Sequence, residues 1–285
     1  MASIQANGID VHVEERGSGA PLVLLHGFTG NAATWSPVRD LLARRHRVIA
    51  IDLIGHGATS APADPSRYAF ERALDDLTDI ADQLGIDRAT WLGYSMGGRL
   101  TLGLALRRPE RVSALILESA TPGIQDAGER SERKAADERL AQRIEEIGVE
   151  AFIDEWERLP MWESQRTLPA EVLQHQREHR LRNSAIGLAN SLRGMGQGAQ
   201  PSYWDRLGDL QIPVLLIAGA HDRKFVGIAE QMGVSIPGAT YSVVSSAGHA
   251  VHLERPQHFA GEVREFLGKR ESLMTGKIQE RSQWT

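Results

Sequence analysis

The segment Gly93-Tyr94-Ser95-Met96-Gly97 places a serine between glycines two residues to either side. Small residues at those positions let the backbone turn sharply, which projects the hydroxyl outward at the positive end of a following helix. A serine hydroxyl is inert near neutral pH unless a base takes its proton and a third group fixes that base. Asp222 in Gly219-Ala-His-Asp222 and His249 in Ala247-Gly248-His249 are the candidates for acid and base. The chain has 10 histidines, so His249 needs reasons over its rivals. His221 adjoins Asp222 and is expected to point elsewhere, and His252 reads as a partly exposed helix or loop residue. His26 reads as a loop brace and His56 as part of a Gly-His-Gly turn. Asp52 is the rival acid; it precedes Ser95 and is read as holding the loop that follows it. The run His26-Gly27-Phe28-Thr29-Gly30 offers backbone N–H groups, with those of Phe28 and Met96 expected to converge as an oxyanion hole.

Positioning these groups requires strand ends. Short apolar runs bounded by turn residues occur at residues 21–25, 47–51, 89–92, 114–117, 213–217 and 241–244, and read as strands buried on both faces. Between them, helical spacing is found over 32–44, 67–84, 96–107, 224–236 and 256–267. Alternating strands and helices predict an α/β fold with a mostly parallel, doubly wound sheet. Residues 9–14 alternate apolar and polar side chains, as an antiparallel edge strand would. Ser95, Asp222 and His249 each follow one of the buried runs, where parallel sheets expose their C-terminal ends.

The alternation fails from Ala120 to Pro201, a stretch rich in Arg, Glu and Gln with helical periodicity. The expected organisation is a core of residues 1–120 and 201–268, a helical cap at 121–200, and a polar tail at 269–285 that frays. At 285 residues, one α/β domain with an insertion accounts for the length. A net charge of −5 lacks the footprint of a nucleic-acid binder. The absence of cysteine excludes disulfides, thiolate metal sites and Cys nucleophiles. With no signal-like or membrane-length apolar segment, the expected location is the cytoplasm, without membrane attachment.

Ser, then Asp, then His is the chain order of the α/β-hydrolase triad, and the finer motifs narrow the resemblance. Ser95-Met-Gly-Gly-Arg99, Ser119-Ala-Thr-Pro-Gly123 with Arg130, Arg133 and Asp137, Arg180-Leu-Arg-Asn183 leading to Gly187-Leu-Ala189, and Asp222-Arg-Lys-Phe225 resemble the 2-succinyl-6-hydroxy-2,4-cyclohexadiene-1-carboxylate synthases of menaquinone biosynthesis. The resemblance runs from about residue 21 to 267. It implies a lyase that eliminates pyruvate from a substrate carrying three carboxylates, with no metal or other cofactor. It also implies that Arg99, Arg133 and Arg180 bind substrate and that Tyr94 and Trp156 line the pocket. Guanidinium groups suit that task because they pair bidentately with carboxylates and keep their charge. Other cap arginines, such as Arg139, Arg143 and Arg158, read as i,i+4 partners on solvated helix faces. The alternatives are an esterase or C–C bond hydrolase using the same triad, and a binding protein that retains it without turnover.

Overall fold

In the computed structural model, backbone is described for residues 2–282 and side chains for residues 3–269. The strands are β1 (Ala2–Ala6), β2 (Ile9–Arg16), β3 (Ala20–Leu25), β4 (His46–Ile51), β5 (Ala89–Tyr94), β6 (Val112–Glu118), β7 (Val214–Gly219) and β8 (Thr240–Val244). They form one sheet in the order β1-β2-β4-β3-β5-β6-β7-β8. All pairings from β4 through β3 to β8 are parallel, while β1–β2 and β2–β4 are antiparallel. The helices are α1 (Ser36–Leu42), α2 (Phe70–Gln83), α3 (Met96–Arg107), α4 (Ala127–Trp156), α5 (Ala170–Arg180), α6 (Ala185–Met195), α7 (Arg223–Ser235), α8 (Val251–Glu254) and α9 (Pro256–Ser282).

The sheet is covered on both faces. Leu74 and Leu77 of α2, Leu100 and Leu104 of α3 and Met232 of α7 belong to one apolar layer, and Val38 and Leu42 of α1 with Phe259 and Val263 of α9 to the other. Full burial explains why the central strands read as unbroken apolar runs. Two strand readings need correction. The strand at residues 9–14 is not the edge, because β1 pairs outside it; the Asn7-Gly8 turn, with φ of 45° and 83°, is the two-residue hairpin turn that positive φ at both positions favours. The run at 241–244 is not buried on both faces: β8 closes the other edge, and Tyr241 is 52% exposed.

The insertion between β6 and β7 is helical, as its composition predicts. Helix α4 is broken at Gly148 (φ 77°, ψ 170°), and its two halves pack with α6 around Ala141, Ile144, Phe152, Leu188 and Leu192. Phe28 from the sheet side packs against that cluster and ties the cap to the core. The tail segment 269–285 begins inside α9, and its side chains beyond 269, with residues 283–285 entirely, lie outside the described residues.

Candidate active site

Ser95 sits between β5 and α3 with φ 51° and ψ −106°, a strained conformation for a residue bearing a Cβ. The surrounding glycines make that turn possible. A Cβ on Gly93 would fall 2.4 Å from the carbonyl oxygen of Gly97, and one on Gly97 would fall 2.2 Å from that of Leu25. The Ser95 N–H donates to the carbonyl of Glu118 at 2.9 Å, which fixes the turn to the neighbouring strand.

The three residues named from sequence converge. His249 Nε2 lies 3.1 Å from Ser95 Oγ, and His249 Nδ1 lies 2.6 Å from Asp222 Oδ2. Asp222 also caps α7, its Oδ1 accepting from the Phe225 N–H at 3.4 Å, so the helix start holds the acid in place. His249 is buried against the rings of Tyr94 and Phe225. Among its rivals, His221 is exposed. His26 braces a loop, its Nε2 accepting from the Leu53 N–H at 3.0 Å, and burial holds its pKa well below the usual value for histidine. Burial brings His56 down to about 4. Asp52 anchors the following loop by accepting from the N–H groups of Ala32 at 2.6 Å and Ala58 at 2.8 Å.

His252 departs from its expected exposure. It is buried and paired with the equally buried Glu118, Nδ1 to Oε2 at 2.8 Å, under the ring of Tyr94. Together with Glu254, which accepts from the N–H groups of Gly248 at 2.8 Å and Ala250 at 3.3 Å, this pair pins the segment that carries His249. The pairing spans 134 positions, which is why local pattern did not reveal it.

A cavity of about 300 Å³ lies in front of the triad. Phe28, Tyr94, Ser95, Met96, Arg99, Arg133, Trp156 and His249 all line it, so most residues named from sequence share one chamber. Arg99 is 94% removed from solvent (6% exposed), and its Nη1 donates to the Met195 carbonyl at 2.7 Å and to Gln200 Oε1 at 3.4 Å. No ion pair holds it among the described residues, and burial, reinforced by the nearby Arg133 charge, lowers its pKa to about 10. It is still a cation at neutral pH. Arg133 donates to Asp137 at 2.7 Å and to Gln197 Oε1 at 2.9 Å.

Arg180 is the exception. It lines an adjoining cavity of about 330 Å³ with Tyr94, Trp162 and His179, not the chamber that contains Ser95. Its guanidinium pairs with Glu157 at 3.1 Å and lies 5.1 Å from the centre of the Trp162 ring. Phe28, Tyr94 and Trp162 line both cavities and form the partition between them. Of the cap arginines read as i,i+4 partners, Arg143 instead reaches Glu155 across the Gly148 break. The sequence does not single out Trp162 or Gln197 as chamber residues, and it offers Lys224 and Phe225 only within the motif Asp222-Arg-Lys-Phe225; Lys224 and Phe225 sit two and three positions beyond Asp222, at the start of the helix it caps.

A family model for the alpha/beta hydrolase fold matches residues 20–256. A Bacillus subtilis protein provisionally named as a 2-succinyl-6-hydroxy-2,4-cyclohexadiene-1-carboxylate synthase is 45% identical over 264 residues, covering 92% of this chain and 96% of that one. The enzyme of that name from Serratia proteamaculans is 30% identical over 86% of this chain and 92% of its own. The structure of MenH from S. aureus superposes with a TM-score of 0.87 at 34% identity, covering 92% of this chain and 98% of that one. A thermophilic esterase from Thermogutta terrifontis follows the same fold with a TM-score of 0.83 at 28% identity, covering 94% and 98% of the two chains.

Proposed function

The chain belongs to the α/β-hydrolase fold family and, within it, to the 2-succinyl-6-hydroxy-2,4-cyclohexadiene-1-carboxylate synthases, and on that premise we propose how its chamber performs the elimination. The enzyme is a carbon–oxygen lyase: it releases pyruvate from 2-succinyl-5-enolpyruvyl-6-hydroxy-3-cyclohexene-1-carboxylate to give the cyclohexadiene. The ring hydrogen beside the succinyl ketone is the acidic one, because the charge left by its removal spreads onto the ketone oxygen. Ser95, deprotonated by His249 at 3.1 Å, takes that proton. Asp222 holds the imidazole tautomer and stabilises the imidazolium that forms. The N–H groups of Phe28 and Met96 receive the ketone oxygen as its charge grows. The ring double bond then shifts and the enolpyruvyl C–O bond breaks, so no acyl-enzyme is formed.

Arg99 carries this reading. A guanidinium buried beside Ser95, with no direct ion pair among the described residues and only the Asp137 charge acting on it from a distance, is costly unless an anion completes it. Turnover of a neutral ester gives no reason to keep it, whereas a tricarboxylate does. Arg133 serves a second carboxylate, and Arg180 reaches the substrate from the adjoining cavity across the Tyr94 and Trp162 partition. Tyr94 and Trp156 supply walls that keep the ring dry. No helix among the described residues is long and apolar enough to cross a membrane, and a charged metabolite of this class points to action in the cytoplasm. The test is a coupled assay for pyruvate with the enolpyruvyl substrate generated in place. Rapid pyruvate release is expected; turnover of simple esters with none from the ring substrate would replace the lyase by an esterase.

A further inference from the structure

Lys224 enters the Ser95 chamber from α7, the helix capped by Asp222. It is the second residue of a helix whose first turn has no acid and two cations, Arg223 and Lys224. Positive charge there opposes the helix dipole. The stability of α7 therefore gives no reason for it. Among the described residues the ammonium has no carboxylate partner, its one recorded contact being the Phe225 ring at 5.7 Å. By contrast Arg133 is held by Asp137 and Arg180 by Glu157. Arg99 and Lys224 are thus the two chamber cations without an acidic partner, and they come from different elements, α3 and α7.

They differ in exposure and in chemistry. Arg99 is buried, with a rigid fork suited to a group that stays bound, while Lys224 is exposed, with a flexible stem and a single hydrated charge. A group that must depart into solvent is better served by the second kind of contact. Resting on the elimination reading above, we propose that Lys224 is the specificity residue for the leaving group and binds the carboxylate of the enolpyruvyl arm. In the step it serves, the electrons of the broken C–H bond form a new ring double bond, and the existing one shifts. The C–O electron pair leaves on the enolate oxygen, and a proton delivered to the enolate carbon completes pyruvate. The Lys224 ammonium balances that growing negative charge.

The experiment uses the full chain with Lys224→Met, Lys224→Arg and, as a charge-matched control, Arg223→Ala, whose side chain is exposed and does not line the chamber. Two probes separate the halves of the product: pyruvate as product inhibitor, and 2-succinylbenzoate, an aromatic acid that keeps the ring, succinyl and carboxylate groups but lacks the leaving arm. Lys224→Met is expected to raise the pyruvate inhibition constant about tenfold or more and to lower kcat/KM by about 10- to 100-fold, as loss of one charge-assisted contact predicts. It should leave 2-succinylbenzoate inhibition within about twofold. Lys224→Arg should recover part of the loss, and Arg223→Ala should match the parent chain. Unchanged pyruvate inhibition in folded Lys224→Met overturns the proposal, and weakened 2-succinylbenzoate binding instead assigns Lys224 to the retained half. A parent enzyme that releases no pyruvate from the ring substrate defeats the elimination reading, and this inference falls with it.

Discussion

Around Ser95 the backbone is locked by contacts that leave no room for a side chain, with a Cβ at Gly93 or Gly97 falling 2.4 or 2.2 Å from a backbone oxygen. Above it, the cap is knit by long charged side chains: Arg193 to Glu138 and Glu145, Arg177 to Asp154 and Glu157, and Arg143 to Glu155. The floor is held by sterics and backbone hydrogen bonds, which permit one geometry and place proton-transfer atoms within tenths of an ångström. The roof rests on a small apolar cluster and on exposed ion pairs, each contributing little and exchanging partners at low cost. A rigid floor under an adjustable roof that contributes Arg133 to the chamber suits chemistry that needs a fixed base and a polyanion that must enter and leave.

Breaking the floor should do the most damage to turnover. Ser95→Ala is expected to lower kcat by about 10⁴-fold or more, by analogy with serine enzymes in which one triad member is lost. The thermal midpoint should stay near that of the parent, since Ser95 Oγ bonds only to His249 among the described residues. A large fall in the midpoint would show that the hydroxyl holds the turn together instead of acting on substrate. Next comes the cation that floor and roof share. Arg99→Ala should cost about 10²- to 10³-fold in kcat/KM through loss of a charge-assisted pairing in a desolvated site. Arg99→Lys should recover little of it, because an ammonium cannot reproduce the planar fork; full recovery would reduce Arg99 to a point charge.

Acid sharpens the contrast by a different route. His26 and His56 stay neutral in the fold because burial depresses their pKa values, His56 to about 4. Below pH about 6.5 the unfolded chain takes up protons that the folded chain refuses, so their contribution is complete above that pH and is lost as pH falls toward 4. For His56 this should remove about 1.4 kcal/mol of stability per pH unit across that window, and His26 acts in the same direction. Urea titrations at pH 7 and pH 5 check this, with His56→Gln expected to flatten the dependence. Smallest of all should be Arg193→Met in the roof, at about 1 kcal/mol or less with kcat unchanged; a loss of several kcal/mol would mean the cap network is as constrained as the floor.

The fold and the triad were legible for the same reason. Buried parallel strands announce themselves as apolar runs, and chemistry in such sheets collects at strand ends, so Ser95, Asp222 and His249 could be placed together although 154 positions separate the first from the last. The Asn7-Gly8 hairpin is a turn signal that the reading of residues 9–14 as an edge strand leaves unused, and the structure adds β1 outside it. The cap was legible only as helix: about one residue in three is charged, which admits many pairings, and composition does not choose among them.

What the sequence by itself determined is therefore whatever depends on local backbone demands: glycines beside a sharp turn, a serine at that turn, an acid and a base just after strand ends. Tertiary structure alone decided the partners of the charges. It gave Glu157 to Arg180 and Glu118 to His252, and left Arg99 and Lys224 without acids in one chamber. A sharp backbone turn is a demand made of adjacent residues and so leaves a local signature, whereas a long charged side chain can answer to any opposite charge within its reach, and only the assembled fold says which one stands there.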